Sequence, residues 1–170
     1  MSAPVPLVTD RLELAPLGLD DAPFILELLN TPGFLRFVGD KGVRDLEGAR
    51  GYLAAGPLAS YGKHGFGLLR VALRAGGPPI GICGLIRRPG LDDVDLGFAL
   101  LPAFEGRGYA AEAARATLEL GRDTHGLRRV VAITDPGNAG SVRLLERLGF
   151  AFERRIELNG EDLLLFGLEL

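Results

Sequence analysis

Asp93-Val94-Asp95-Leu96-Gly97-Phe98-Ala99-Leu100-Leu101-Pro102-Ala103-Phe104-Glu105-Gly106-Arg107-Gly108-Tyr109-Ala110-Ala111-Glu112-Ala113 reads as an alternating strand, a turn marked by Pro102, two glycines one residue apart, and the start of an Ala-rich helix. A strand that passes through a glycine turn into a helix leaves backbone N–H groups without partners at the positive end of the helix dipole. Such a row binds phosphate or pyrophosphate. The stretch therefore predicts a phosphorylated ligand, and the flanking sequence has to say which.

Upstream, Arg11 to Leu17 alternates with period two and predicts a first strand ended by Pro16. Asp20 offers an N-cap for a short helix carrying Pro23 in its first turn and Phe24, Ile25, Leu28 and Leu29 as its apolar stripe, with Thr31-Pro32-Gly33 breaking it after Asn30. A second helix is expected from Asp45 to Ser60, with Leu46, Ala49, Leu53 and Ala54 on its inner face. Phe66 to Leu73 and Pro79 to Arg87 read as strands joined by a hairpin-type connection. With Asp93 to Leu101 they make an antiparallel meander. The helix after Gly108 gathers Ala110, Ala113, Ala114, Thr117 and Gly121 into one small-residue face, which allows close packing on a sheet.

Downstream, Arg129 to Thr134 is a buried strand, and Asn138 caps a helix ending at Leu148-Gly149 with Ser141, Leu144, Leu145 and Leu148 on one face. Ala151 to Leu158 and Asp162 to Leu170 flank Asn159-Gly160, a hairpin signal. The order β-α-α-β-β-β-α-β-α-β-β is α+β in character: a mixed, mostly antiparallel sheet with helices on its faces.

The chain has 170 residues, enough for a single domain spanning 1–170. Its apolar share of 47% and charged share of 24% are those of a soluble globular protein. A net charge of −3 argues against a nucleic-acid partner, which needs a basic face. One cysteine, Cys83, excludes an intrachain disulfide framework and a multi-cysteine zinc site, and two histidines without supporting spacing argue against any metal. No segment reaches the ~20 apolar residues of a membrane span. Met1 to Asp10 lacks a basic region and an apolar core, so no secretory signal is read and the expected location is the cytoplasm.

Gly106-x-Gly108-x-x-Ala111 formally matches the dinucleotide fingerprint. A Rossmann domain, however, places that turn after its first strand and follows it with several βα units. Here a meander precedes the turn and only 62 residues follow Gly108. On spacing alone, a plain tight turn and a phosphate cradle both stay open.

Four ordered segments resemble the GNAT-type N-acetyltransferases, and together they cover nearly the whole chain. Glu105-Gly106-Arg107-Gly108-Tyr109-Ala110 is similar to the Gln/Arg-x-x-Gly-x-Gly/Ala signature of that superfamily. Thr9-Asp10-Arg11-Leu12-Glu13-Leu14 resembles the Thr-x-Arg-Leu-x-Leu opening of the branch that acetylates ribosomal-protein N-termini (alanine or serine). Asp95-Leu96-Gly97-Phe98 with Pro102 resembles the fourth strand of the fold, and Asn138-x-x-Ser141 followed by Leu145 to Phe150 resembles its second cofactor motif.

The resemblance implies acetyl-CoA as co-substrate and no metal. Phe98, Ala99 and Leu100 would run beside the pantetheine arm through their backbone. Amides of Gly106, Arg107, Gly108, Tyr109 and Ala110 would hold the pyrophosphate, where a Cβ on either glycine would bar close approach. Asn138 would contact the pantetheine region, cap its own helix, or do both. Ser141 would reach the thioester or the emerging thiolate, the alternative being a hydroxyl bonded within its own helix. Two departures stand out. Glu105 stands where the family has Gln or Arg, with Arg107 a partial compensation, and Leu145 stands where many relatives carry a tyrosine acid.

The resemblance further implies an acceptor that is a primary amine, either a peptide N-terminus or a small molecule, and a homodimer as a candidate assembly. Asp95 is the first candidate to assist deprotonation of that amine and Glu112 the second, with pairing to Arg115 as the alternative role of Glu112. His64 falls where this fold lines its acceptor cleft, and Asp93 shares the parity of Asp95. The expected activity is acetyl transfer by direct attack in a ternary complex; the alternative is a non-catalytic acyl-CoA-binding sensor.

Overall fold

The structure is a computed structural model that describes residues 4–170. Its strands are β1 (Leu7–Val8), β2 (Leu12–Pro16), β3 (Leu68–Leu73), β4 (Pro79–Ile86), β5 (Asp95–Leu100), β6 (Arg129–Thr134), β7 (Ala151–Leu158) and β8 (Glu161–Glu169). They form one eight-stranded sheet in the order β1-β2-β3-β4-β5-β6-β8-β7, antiparallel everywhere except between β5 and β6. The helices are α1 (Ala22–Leu29), α2 (Pro32–Phe37), α3 (Leu46–Leu53), α4 (Ala59–His64), α5 (Tyr109–Asp123) and α6 (Ala139–Arg147).

The sheet has a core on each face because its central strand is apolar on both. In β4 every residue from Ile80 to Leu85 is buried. Side chains alternate across a strand, so Cys83 and Leu85 join one core with Leu12, Leu14, Val71, Ala113, Ala114 and Leu118, whereas Ile82 joins the other with Ile25, Leu28, Leu29 and Leu53. The small face of α5 rests on the first core: Ala113, Ala114, Thr117 and Gly121 are buried, and Ala110 half-buried. Strand β2, between β1 and β3, begins with alternation, Leu12 and Leu14 buried and Glu13 exposed.

Several local expectations change. The first helix is not capped by Asp20, which is exposed; the Asp21 carboxylate instead accepts from the Gly18 amide at 2.8 Å and pairs with Arg70 at 2.9 Å. Thr31-Pro32-Gly33 does not simply break a helix. Proline fits the first turn, where no amide hydrogen is needed, and Pro32 opens α2. The predicted helix from Asp45 to Ser60 runs on to His64 and is interrupted by a π-turn at Ala54–Leu58. Pro57 lies inside that turn and has no N–H to give to a carbonyl four residues back, so the helix widens around it. On α3 Ala49 and Leu53 face the core, but Leu46 and Ala54 are exposed. The three meander strands are shorter than read, at Leu68–Leu73, Pro79–Ile86 and Asp95–Leu100, and the short β1 had no counterpart in the pattern. Asn159 and Gly160 both have positive φ, as a tight hairpin requires.

The feature that makes a site is the parallel pair. β5 and β6 share one bridge, Asp95 opposite Val131, with the Val131 amide donating to the Val94 carbonyl at 3.0 Å. Beyond it β5 keeps its ladder with β4 as far as Leu100 opposite Gly81, and β6 keeps its ladder with β8. The sheet therefore opens between them, and each strand has an edge without a strand partner there.

Candidate active site

A cleft of about 790 Å³ occupies this opening. Its floor includes Asp95 to Ala99 of β5 and Ile133 and Thr134 of β6; Asn138 and Ser141 of α6 stand on one side, and the π-turn and α4 with His64 on another. Phe34, Phe37, Tyr52 and Leu68 add apolar wall, and the β7–β8 hairpin reaches it through Leu158, Asn159 and Glu161. Asp95, Phe98, Ala99, Asn138 and Ser141, which the sequence places 46 positions apart at the extremes (Asp95 to Ser141), thus line one space.

Asp95 sits at the point where the strands part and is 1% exposed. Arg88 Nη2 lies 3.4 Å from its Oδ2, while Asp95 Oδ1 and Arg88 Nε are buried with no hydrogen-bond partner. Burial pushes the Asp95 carboxyl above the usual carboxylate range, and the Arg88 guanidinium only partly offsets this. A buried carboxylate with a free oxygen and a raised affinity for protons is chemically a base. Nothing in the local sequence around Arg88, which follows a strand as a solvated arginine would, signals this turn inward.

Ser141 and Asn138 belong to the first turn of α6. The Asn138 side-chain oxygen accepts from the Ser141 amide at 3.2 Å, so Asn138 is the helix N-cap. The Ser141 hydroxyl has no hydrogen-bond partner among the described residues and is half-buried in the cleft wall. Leu145 is wholly buried in the core, and it brings no hydroxyl to the cleft.

The glycine turn stands at the start of α5. Gly106 and Gly108 have φ of +74° and +83°, the left-handed region that favours glycine. The first amide engaged in the helix is that of Glu112, to the Gly108 carbonyl at 3.1 Å; among the described residues the amides of Gly106 to Ala111 have no acceptor. Arg107, Tyr109 and Ala110 follow the same exposed turn, and beside them the outer edge of β5 at Phe98, Ala99 and Leu100 is open. Free amides in a convergent turn are an anion cradle.

Glu112 is not in the cleft. Its carboxylate accepts from the Thr9 hydroxyl at 2.5 Å, the Arg11 amide at 2.9 Å and Arg11 Nε at 2.7 Å. Burial works against its charge, but these donors outweigh it and hold the carboxyl below the usual range. The ion pair is with Arg11, across the fold, and not the local one with Arg115. Asp93 likewise lies outside the cleft, paired with Arg129 at 3.1 Å. His64 does line it, stacked on Phe66 at 5.5 Å between ring centres.

Residues 11–151 match the family model described as an acetyltransferase (GNAT) domain. The chain belongs to the GNAT acetyltransferase family. The crystal structure of an acetyltransferase from Agrobacterium tumefaciens superposes with a TM-score of 0.83 at 30% identity, covering 99% of this chain and 96% of that one. The uncharacterized protein YkkB of Bacillus subtilis is 28% identical over 92% of this chain and 91% of its own length. The ribosomal-protein-S5-alanine acetyltransferase of Vibrio fischeri shares the fold at a TM-score of 0.78 and 21% identity, covering 97% of this chain and 96% of that one. Among the described residues no group of His, Cys, Asp or Glu is placed to hold a metal ion, and no helix is long and apolar enough to cross a membrane.

Proposed function

We propose that the protein transfers the acetyl group of acetyl-CoA to a primary amine by direct attack in a ternary complex. The observation that carries this reading is the buried Asp95 carboxylate, with one unpartnered oxygen, at the closed end of the gap between β5 and β6. The residues present fit the donor: amides without acceptors at Gly106 to Ala110 suit its pyrophosphate, and the unpaired edge of β5 at Phe98 to Leu100 suits its amide-bearing arm.

The amine must attack as the free base. Holding a lysine-type amine neutral at pH 7 costs about 4.6 kcal/mol from its ordinary pKa, and an α-amine only about 1 kcal/mol. Asp95 Oδ1 accepts the proton, directly or through one water, and its burial makes it a stronger acceptor than a solvated carboxylate. As nitrogen bonds to the acetyl carbon, the carbonyl oxygen gains charge, which an amide on the open edge of β5 stabilises. The C–S bond then breaks, and the thiolate takes a proton from the Ser141 hydroxyl or from water. Holding both substrates in one cleft removes much of the entropic barrier.

The ribosomal-protein neighbour makes a protein N-terminal α-amine one acceptor to try, with small amines the other. A second reading, an acyl-CoA sensor without transferase activity, draws on Leu145 and Glu105 in place of the family's usual side chains. Release of free CoA thiol from acetyl-CoA across a panel of α-amines and alkylamines separates the two. Acceptor-dependent release supports transfer, and tight CoA binding with no turnover on any amine supports the sensor.

A further inference from the structure

The turn at Gly106–Ala110 carries Glu105 where a cation or amide would suit a diphosphate, and Glu112 adds a second carboxylate in the first turn of the same helix. Arg11 answers both. It stands just before β2, remote in sequence, and its Nε donates to Glu112 Oε1 at 2.7 Å, pairing that charge. Its Nη1 donates to the Arg107 carbonyl at 2.9 Å, and the guanidinium lies over the Tyr109 ring at 4.4 Å. Three contacts thus fix the group against the turn. Its Nη2 has no acceptor among the described residues and lies 3.3 Å from where a Cβ on Gly108 would stand.

We propose that Arg11 is a binding residue for the diphosphate of the donor, its Nη2 supplying from just before β2 the cationic donor that the turn itself lacks at Glu105. The inference rests on the acetyl-CoA reading above. A guanidinium held in place on two sides gives a charge-assisted hydrogen bond at little further entropic cost. Thr9 and Glu112 are then positioning residues, acting through Arg11.

Binding of CoA, dephospho-CoA and pantetheine to the wild type and to Arg11→Gln, Arg11→Lys and Glu112→Gln, followed by calorimetry or NMR titration, tests it without needing an acceptor. Arg11→Gln should weaken CoA and dephospho-CoA alike by roughly tenfold and leave pantetheine unchanged. Its Kd should also depend less steeply on salt. Arg11→Lys should recover part of the loss, and Glu112→Gln, which keeps the Arg11 charge but loosens it, should fall between. Equal weakening of pantetheine would reduce Arg11 to a structural role and overturn the proposal. So would a loss seen with CoA and absent with dephospho-CoA, which would place the contact on the 3′-phosphate. Unchanged CoA binding in Arg11→Gln overturns it while leaving the donor reading intact, whereas a wild type that binds no CoA overturns the donor reading and this inference together.

Discussion

Arg88 Nη2 stands 3.4 Å from Asp95 Oδ2, yet Arg88 Nε and Asp95 Oδ1 both remain buried and unpartnered. A pair committed to stability would close both ends, since each orphaned polar atom carries a desolvation cost. Left half-joined, it keeps one acceptor and one donor uncommitted in the wall of the cleft. Asp95→Asn removes the proton acceptor and keeps the shape. It should lower kcat/KM for amine acetylation about 10²-fold at neutral pH. The acid limb of the rate profile, measured by CoA release, should move up toward the pKa of the amine itself. An unchanged profile would remove Asp95 from the chemistry.

The same substitution should stabilise the fold. Asp95 has its folded pKa raised above the unfolded value of about 3.9. Below about pH 4 it is neutral in both states and costs nothing. As pH rises toward its folded pKa, the folded protein holds a proton that the unfolded chain releases, and stability is lost; above that the cost is constant. The melting temperature of Asp95→Asn should therefore exceed that of the wild type at neutral pH, with the gap narrowing as pH falls toward about 4.

The two glycines of the turn should respond differently. At Gly108 a valine meets φ of +83° and the Arg11 guanidinium at 3.3 Å, so Gly108→Val should abolish CoA binding and lower the melting temperature. At Gly106 an added Cβ meets nothing within 4 Å, and Gly106→Ala faces only the left-handed strain of about 1 kcal/mol. It should fold, and still lose CoA affinity by tenfold or more, because the Cβ occupies the space through which a diphosphate must approach. A Gly106→Ala protein with wild-type Kd would place the phosphates elsewhere.

Ser141 and Asn138 separate a chemical role from a capping one. The bond that caps α6 runs from the Ser141 amide to the Asn138 side chain, so Ser141→Ala preserves it. Ser141→Ala should lower kcat about tenfold with KM for acetyl-CoA unchanged. Asn138→Ala should cost about 1 kcal/mol of stability, read by denaturant unfolding, and raise KM for acetyl-CoA as the helix start loosens.

Much of this architecture is written locally. The run Asp93 to Ala113 carries strand, turn and helix within itself, and alternation in β2 and the small-residue face of α5 each name their own buried side. What escaped is decided by partners far along the chain. Glu112 has Arg115 three residues on, a good local match, but Thr9 and Arg11 offer three donors against one. Arg88 looks like any arginine at a strand end until the fold brings its head beside Asp95. Pro32 and Pro57 show the converse: the first, read as part of a breaker, opens a helix, and the second, inside the predicted helix, widens it, because only the missing hydrogen bond is forbidden and the turn around it is free to adapt. The short β1 has too few residues to show a period at all.

The cleft is walled by separate stretches of chain: Phe34 to Leu68, ending at the start of the meander, Ile82 to Ser141 through the middle, and Leu158 to Leu163 at the last hairpin. The middle stretch also contains the glycine turn. Substitutions in the first and last stretches can therefore reshape what the cleft admits while the turn at the start of α5 stays untouched. In evolutionary terms those two stretches of the gene can drift toward new acceptors under one inherited donor, and a laboratory library aimed at acceptor choice belongs there.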